Sequence, residues 1–222
     1  MLEEKMIALR KELIECATHV EGMIDKSIAG LVRKESSLLN DVIEKDEPKA
    51  NETEITIEDL CTTMIAKYEP KAKDLRTILM TMKMNNDLER AGDHAVNIAE
   101  CSLYIIERPA IKPLLDIPRM AEEAVGMLKD AIEAFIKEDA LLAAMVCERD
   151  NIVDNLGQQI LRELITFMSA DPTTIERAMR LLNIARNLER IGDLSTNISE
   201  DVIFMVEGRV IKHHKDQESA SQ

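Results

Sequence analysis

A chain of 222 residues can hold one large domain or two small ones. Aromatic residues make up only 2%, Trp is absent, and 13 Met accompany many Leu, Ile and Ala, so the core suits helices better than β-branched, aromatic-rich sheets. A formal charge of −14 argues against direct binding to nucleic acid or anionic lipid, which reward Lys/Arg clusters, and suits cations or partners with basic faces.

Met6, Leu9, Leu13, Cys16, Val20, Met23, Ile24, Ile28 and Leu31 recur at helical spacing and predict an amphipathic helix over 2–33. Ser36 is placed to cap a second helix running through Leu39, Val42, Ile55, Leu60 and Met64 to about Lys67. Pro48 predicts a kink or break in it near 46–48. Pro70 opens a third helix over 71–107. Pro109, Pro113 and Pro118 then end a first unit, 1–108, and make a Pro-rich connector of 109–117. The second unit, 118–208, repeats the plan, with helices expected over 118–137, 139–169 and 173–207 and Asp171-Pro172 at the last turn. Residues 209–222 read as a polar tail. Alternating runs and Asn-Gly or Asp-Gly hairpin turns are lacking, so the fold class is all-α: two tandem three-helix bundle repeats related by pseudo-twofold symmetry.

The most informative feature is an internal repeat. Leu88-Glu89-Arg90-Ala91-Gly92-Asp93 recurs 100 residues later as Leu188-Glu189-Arg190-Ile191-Gly192-Asp193, and 8 of 16 positions agree between 85–100 and 185–200. Upstream, Gly22-Met23 matches Gly126-Met127 and Asp46 matches Asp150 at an offset of 104. The difference of four falls in the loop before each third helix, where length changes are tolerated.

On a helix, Asp93 lies about 40° round from Glu89 and Glu100 about 20°, with Asn97 on the edge of the same stripe. The second copy repeats this with Glu189, Asp193, Asn197 and Glu200. Carboxylates four apart repel by a few tenths of a kcal/mol, and a bound cation would offset that in both copies. Gly92 and Gly192, each costing about 1 kcal/mol relative to Ala, allow a neighbouring helix to come close. In the second unit that neighbour offers Asp150 and Asp154. An all-oxygen set suits hard cations such as Mg²⁺, Mn²⁺ or Ca²⁺, or iron as a cluster. The bland alternative is a solvated face whose acids pair with Arg90 or Lys83.

Cys16, Cys61, Cys101 and Cys147 are scattered, without CxxC, and read as small buried side chains of a reducing compartment. His94 points off the acidic stripe, His19 sits among apolar positions, and no Glu-x-x-His, Gly-rich phosphate loop, Gly-x-Ser-x-Gly or His-Glu-x-x-His occurs. Nucleophilic catalysis therefore has no support, and the expectation is a non-enzyme. The acidic start, Met1-Leu2-Glu3-Glu4-Lys5, is unlike a signal peptide, and the longest apolar run, Ala140 to Cys147, is too short for a membrane span. A soluble cytoplasmic protein is expected.

The run Pro70-x-x-x-Asp74-Leu75-Arg76 followed by Leu88-Glu89-Arg90-x-Gly92-Asp93-His94-Ala95-x-Asn97-Ile98-Ala99-Glu100 resembles the PhoU family, and the second copy resembles that family's C-terminal repeat. The likeness covers about 2–207. It implies a two-unit, six-helix protein that binds Fe, Mn or Mg ions, including multinuclear clusters, through paired E/D-x-x-x-D motifs. It further implies an accessory of the high-affinity phosphate ABC transporter that restrains uptake and helps hold phosphate-starvation two-component signalling off. Implied partners are the transporter's ATPase subunit, the phosphate-sensing histidine kinase and a second copy of the chain. Carried over, one metal site would use Asp150, Asp154, Glu189 and Asp193, the other Asp46, Glu89 and Asp93. The chain departs from the pattern at Ala50, which stands where Asp154 stands in the second copy; Glu47 and Glu54 are candidate substitutes. Asp74 and Arg76 match in the first copy only, their counterparts being Thr174 and Glu176. Two other readings are a PhoU-domain regulator of a different transporter or an ion channel, and a metal-dependent phosphohydrolase using a two-metal site.

Overall fold

A computed structural model describes residues 2–208; the polar tail expected over 209–222 lies outside the described residues. Seven α-helices follow in order: α1 Leu2–Arg33, α2 Ser36–Asp41, α3 Glu47–Tyr68, α4 Lys73–Ile106, α5 Asp116–Lys137, α6 Ala140–Ala170 and α7 Ile175–Glu207. A π-helical turn, Val42–Asp46, joins α2 to α3, and a 3₁₀ turn, Pro172–Thr174, precedes α7. Among the described residues there is no strand.

The second helix of the first unit departs from expectation in two ways. Ser36 is its first residue rather than its cap, and Glu35 holds the cap position without a side-chain bond. The expected break at Pro48 is a π turn instead. The Glu47 N–H donates to Val42 O, a five-residue step, and Pro48 falls in the first turn of α3, where a missing N–H costs little. The chain therefore stays helical through the proline. α4 starts at Lys73, not 71, because Glu69 (φ 47°) and Ala72 (φ 48°) turn the loop through left-handed backbone. The corresponding turn in the second unit is shorter: Asp171 accepts from Thr173 N and the 3₁₀ turn leads straight into α7.

Both units turn from their first to their second helix in the same way. Lys34 (φ 56°) and Glu138 (φ 51°) are left-handed, and the following N–H reaches back five residues, Glu35 N to Gly30 O and Asp139 N to Ala134 O, each 2.9 Å. This is a Schellman closure, repeated at the offset of 104. Asp139 then caps α6 by accepting from Leu141 N and Leu142 N, both at 3.0 Å.

The third helices, α4 and α7, pack on each other, and the first helices, α1 and α5, meet beside them. The outer helix α3 lies on α1 and α4, and α6 lies on α5 and α7. Exchanging α1 with α5, α3 with α6 and α4 with α7 leaves this arrangement unchanged, as pseudo-twofold symmetry requires. The core is built from repeated stripes: Leu88, Ala91, Ala95 and Ile98 of α4, and Leu188, Ile191 and Ile198 of α7, are fully buried. Phe135 is the largest fully buried side chain. Glu138 ties the units together, accepting from Arg10 of α1 and Lys73 of α4, both at 2.5 Å. No helix among the described residues is long and apolar enough to cross a membrane.

The turn after α1 also shows how the repeats diverged. A Cβ on Gly30 would sit 2.5 Å from Leu39 Cδ2 and 2.7 Å from its Cγ. In the second unit the pair is Ala134 and Ala143, so bulk added on one side is removed on the other. Gly30→Ala is therefore expected to cost about 1–3 kcal/mol, seen as a lower midpoint in a thermal melt followed by circular dichroism. The cost should shrink in a Leu39→Ala background, a coupling that a double-mutant cycle measures.

Candidate functional site

In the second repeat the acidic ridge of α7 faces α6 across two glycines. A Cβ on Gly192 would lie 3.3 Å from Asp150 Oδ1 and 3.6 Å from Val153 Cγ1, while a Cβ on Gly157 would lie 3.5 Å from Glu189 Oε2. Each helix thus lays a carboxylate over the other's glycine. Burial raises the Glu189 carboxyl above its ordinary range, Asp154 and Asp193 raise it further, and Arg190 and Arg186 oppose. Asp154 is raised by burial and then by Asp193. Asp150, Asp154, Glu189 and Asp193 therefore gather at one helix seam. Asp193 also accepts from Arg190 Nη1 at 2.9 Å, one turn back on its own helix.

The first repeat is arranged differently. The atoms facing Gly92 are apolar: Met23 Cε at 3.6 Å and Ala50 Cβ at 3.9 Å from an added Cβ. Asp46 ends the π turn, buried, with Lys26 of α1 donating to its Oδ2 at 2.6 Å and His19 Nε2 meeting its backbone oxygen at 2.9 Å. Glu89 is raised by burial, then by Asp93, then by Glu54 of α3. The acids that share a field here are thus Glu54, Glu89 and Asp93, with Asp46 held towards α1. The signal for this lies at one position: Lys26 is matched by Asp130 at the offset of 104. Asp130 engages Arg149, which also reaches Glu123 at 3.4 Å, so nothing on α5 at that position draws Asp150 away from Gly192.

The donor chemistry of the second repeat fits a hard cation: carboxylate oxygens whose mutual repulsion a positive ion would relieve. A metal would have to compete with Arg190 for Asp193. Among the described residues no three His, Cys, Asp or Glu side chains converge closely enough to hold a metal ion as they stand.

With both ridges placed, comparison with known proteins decides the family. A family model described as the PhoU domain matches twice, over residues 13–102 and 117–202. The chain belongs to the PhoU family. A relative from Aquifex aeolicus (strain VF5), named phosphate-specific transport system accessory protein PhoU homolog, is 40% identical over 209 residues, 94% of each chain. A Pseudomonas putida protein of the same name is 34% identical over 206 residues, 92% of this chain and 80% of that one. The crystal structure of PhoU from Pseudomonas aeruginosa superposes with a TM-score of 0.90 at 31% identity, covering 94% of this chain and 100% of that one. The PhoU fold and its duplication thus stand on both sequence and shape.

A further pair of acids lies off the ridge. On the face of α4 opposite the ridge, Asp87 lies in the field of Asp201 of α7, both buried, and Lys83 donates to Asp201. Asp87 lies two residues from Glu89, about 200° round the helix, so a search along the ridge passes over it. His94 Nδ1 and Asn187 Oδ1 join the same two helices at 2.8 Å. The four cysteines are free, three of them buried, and burial pushes Cys16 up to about 12 and Cys61 to about 11.

Burial, and then Asp201, raise the Asp87 carboxyl from 3.8 to about 6. Between those values the folded chain takes up a proton that the unfolded chain does not hold, so stability falls as pH rises through that window. Asp87→Asn is accordingly expected to raise the melting midpoint by a few degrees at neutral pH, and the gain should vanish below the ordinary carboxylate range. Melts of the chelator-treated protein at the two pH values check this.

Proposed function

We propose that the chain is a regulatory accessory of a phosphate transport system that restrains ATP-driven uptake and helps keep phosphate-starvation signalling off when phosphate is plentiful. The observation that carries this reading is the match of both repeats to the PhoU domain, with a relative named as a phosphate-specific transport system accessory protein over 94% of each chain. In this reading it acts by contact and carries out no chemistry of its own. Its partners are the ATPase subunit of the phosphate ABC transporter, the phosphate-sensing histidine kinase and a second copy of the chain, all met at the cytoplasmic face. Two helical repeats locked along α4 and α7 make a stiff body suited to transmitting such contacts.

Metal binding is the second part of the reading. Asp150, Asp154, Glu189 and Asp193 would hold it in the second repeat. Glu89 and Asp93, with Glu54 beside them, are the matching set in the first, and Asp46 would have to leave Lys26 to join. Bound Fe, Mn or Mg would neutralise the ridge and stiffen the α6–α7 seam. The chain's own residues supply the carboxylates and, through Gly157 and Gly192, the close approach that gathers them.

Two measurements test the two parts separately. Deleting the chain from its own host in phosphate-replete medium is expected to switch on a phosphate-starvation reporter, and resupplying it to switch the reporter off. A reporter that stays silent without the chain refutes the regulatory reading. Glu189→Ala with Asp193→Ala is expected to remove about half or more of the bound metal by elemental analysis, since two of four carboxylates are gone, while helicity is unchanged. Unaltered metal content refutes the ligand assignment alone.

A further inference from the structure

The two repeats carry matching clefts between outer and third helix, and the clefts differ in charge. In the first repeat a cleft of 310 Å³ between α3 and α4 is lined by Glu54, Glu58, Lys83, Asn85, Asn86 and Asp87, with Met82. In the second repeat its counterpart, 260 Å³ between α6 and α7, includes Gln158, Arg186, Glu189 and Arg190. In the repeat register Glu54 becomes Gln158, Glu58 becomes Arg162, Asn86 becomes Arg186 and Asp87 becomes Asn187. Four of the five charge differences move the same way, removing negative charge or adding positive; Lys83, which becomes Asn183, moves the other way.

Donors beside the acidic cleft are already engaged, Lys83 with Asp201 and Arg90 Nη1 with Asp87 Oδ1 at 3.3 Å, and buried acceptors are left over. Asn85 is 1% exposed; its Nδ2 donates to Glu54 O at 2.9 Å, and its Oδ1 has no hydrogen-bond partner among the described residues. Asp201 of α7, reached from the cleft through Lys83, is 6% exposed, with Oδ1 taken by Lys83 and Oδ2 unpartnered among the described residues. Both orphan atoms are acceptors, and a buried acceptor left unmade is costly. Lys83 is already committed to Asp201. N–H groups can supply the missing donor. A guanidinium or ammonium brings several donors and a charge together. The field continues outward along α3 through Glu54 and Glu58, one turn apart, and Glu54 also faces Glu89. A face of that length suits a chain segment bearing several cations rather than one small molecule.

We infer that the α3–α4 cleft of the first repeat is a docking slot for an arginine- or lysine-bearing segment of a partner protein, and that the second repeat's cleft excludes such a segment. The inference goes beyond the metal reading and does not depend on which transporter is the client.

The test uses the full chain and a labelled Gly/Ser peptide carrying arginines, with a citrulline version as neutral control, followed by fluorescence anisotropy at physiological ionic strength. The arginine peptide is expected to bind and the citrulline peptide not. Glu54→Gln with Glu58→Gln, and separately Asp87→Asn, are expected to weaken binding about tenfold, whereas Glu52→Gln with Asp59→Asn, charges on α3 outside the cleft, should change it less than about twofold. Circular dichroism confirms that each variant folds; the first pair lies at the cleft mouth and removes no core side chain. Lack of binding by the natural sequence, equal binding of the citrulline peptide, equal loss in the control pair, or undiminished binding in the mouth variant each overturns the assignment.

Discussion

Packing of apolar stripes fixes where the carboxylates go. Leu88, Ala91, Ala95 and Ile98 bury one face of α4, and Leu188, Ile191 and Ile198 bury the same face of α7. Each such side chain contributes on the order of 1–3 kcal/mol, against a few tenths for each like-charge pair on the ridge. Core packing wins by a wide margin. The ridges of Glu89/Asp93 and Glu189/Asp193 are therefore held towards the outer helices whether or not anything neutralises them, and the raised carboxyl groups record the residual strain.

That constraint gives the glycines their meaning. Gly192 matters for what lies over it, the Asp150 carboxylate of α6. Gly92 sits at the equivalent point of α4, yet Met23 and Ala50 cover it. The same backbone frame thus supports a seam of facing acids in one repeat and an apolar seam in the other. The difference traces to Ala50 and to Lys26, which draws Asp46 onto α1, whereas Asp130 at the matching place engages Arg149.

Duplication followed by divergence runs through the whole molecule. The Schellman turn is shared, but Gly30 with Leu39 is answered by Ala134 with Ala143. The outer clefts are shared, but Glu54, Glu58 and Asp87 are answered by Gln158, Arg162 and Asn187. A symmetric frame with unlike surfaces can present different faces to different partners, which suits an accessory protein that works by contact.

Periodicity and repeat register alone determined the helical class, the two units, the helix order and the ridge positions. Those properties depend on local geometry, about 100° per residue, and on an offset that can be read by eye. The π turn at Val42–Asp46 was visible only as a disturbance at Pro48, because a proline does not say whether the chain will break or widen. Tertiary structure alone decided which acids share a seam. Asp46 turned to Lys26, Glu54 came within the field of Glu89, and Asp87 within that of Asp201 across α4 and α7. Each of these pairings lies between helices, where the partner is set by how two packed cylinders are rotated and shifted, and one chain's spacing carries no record of that.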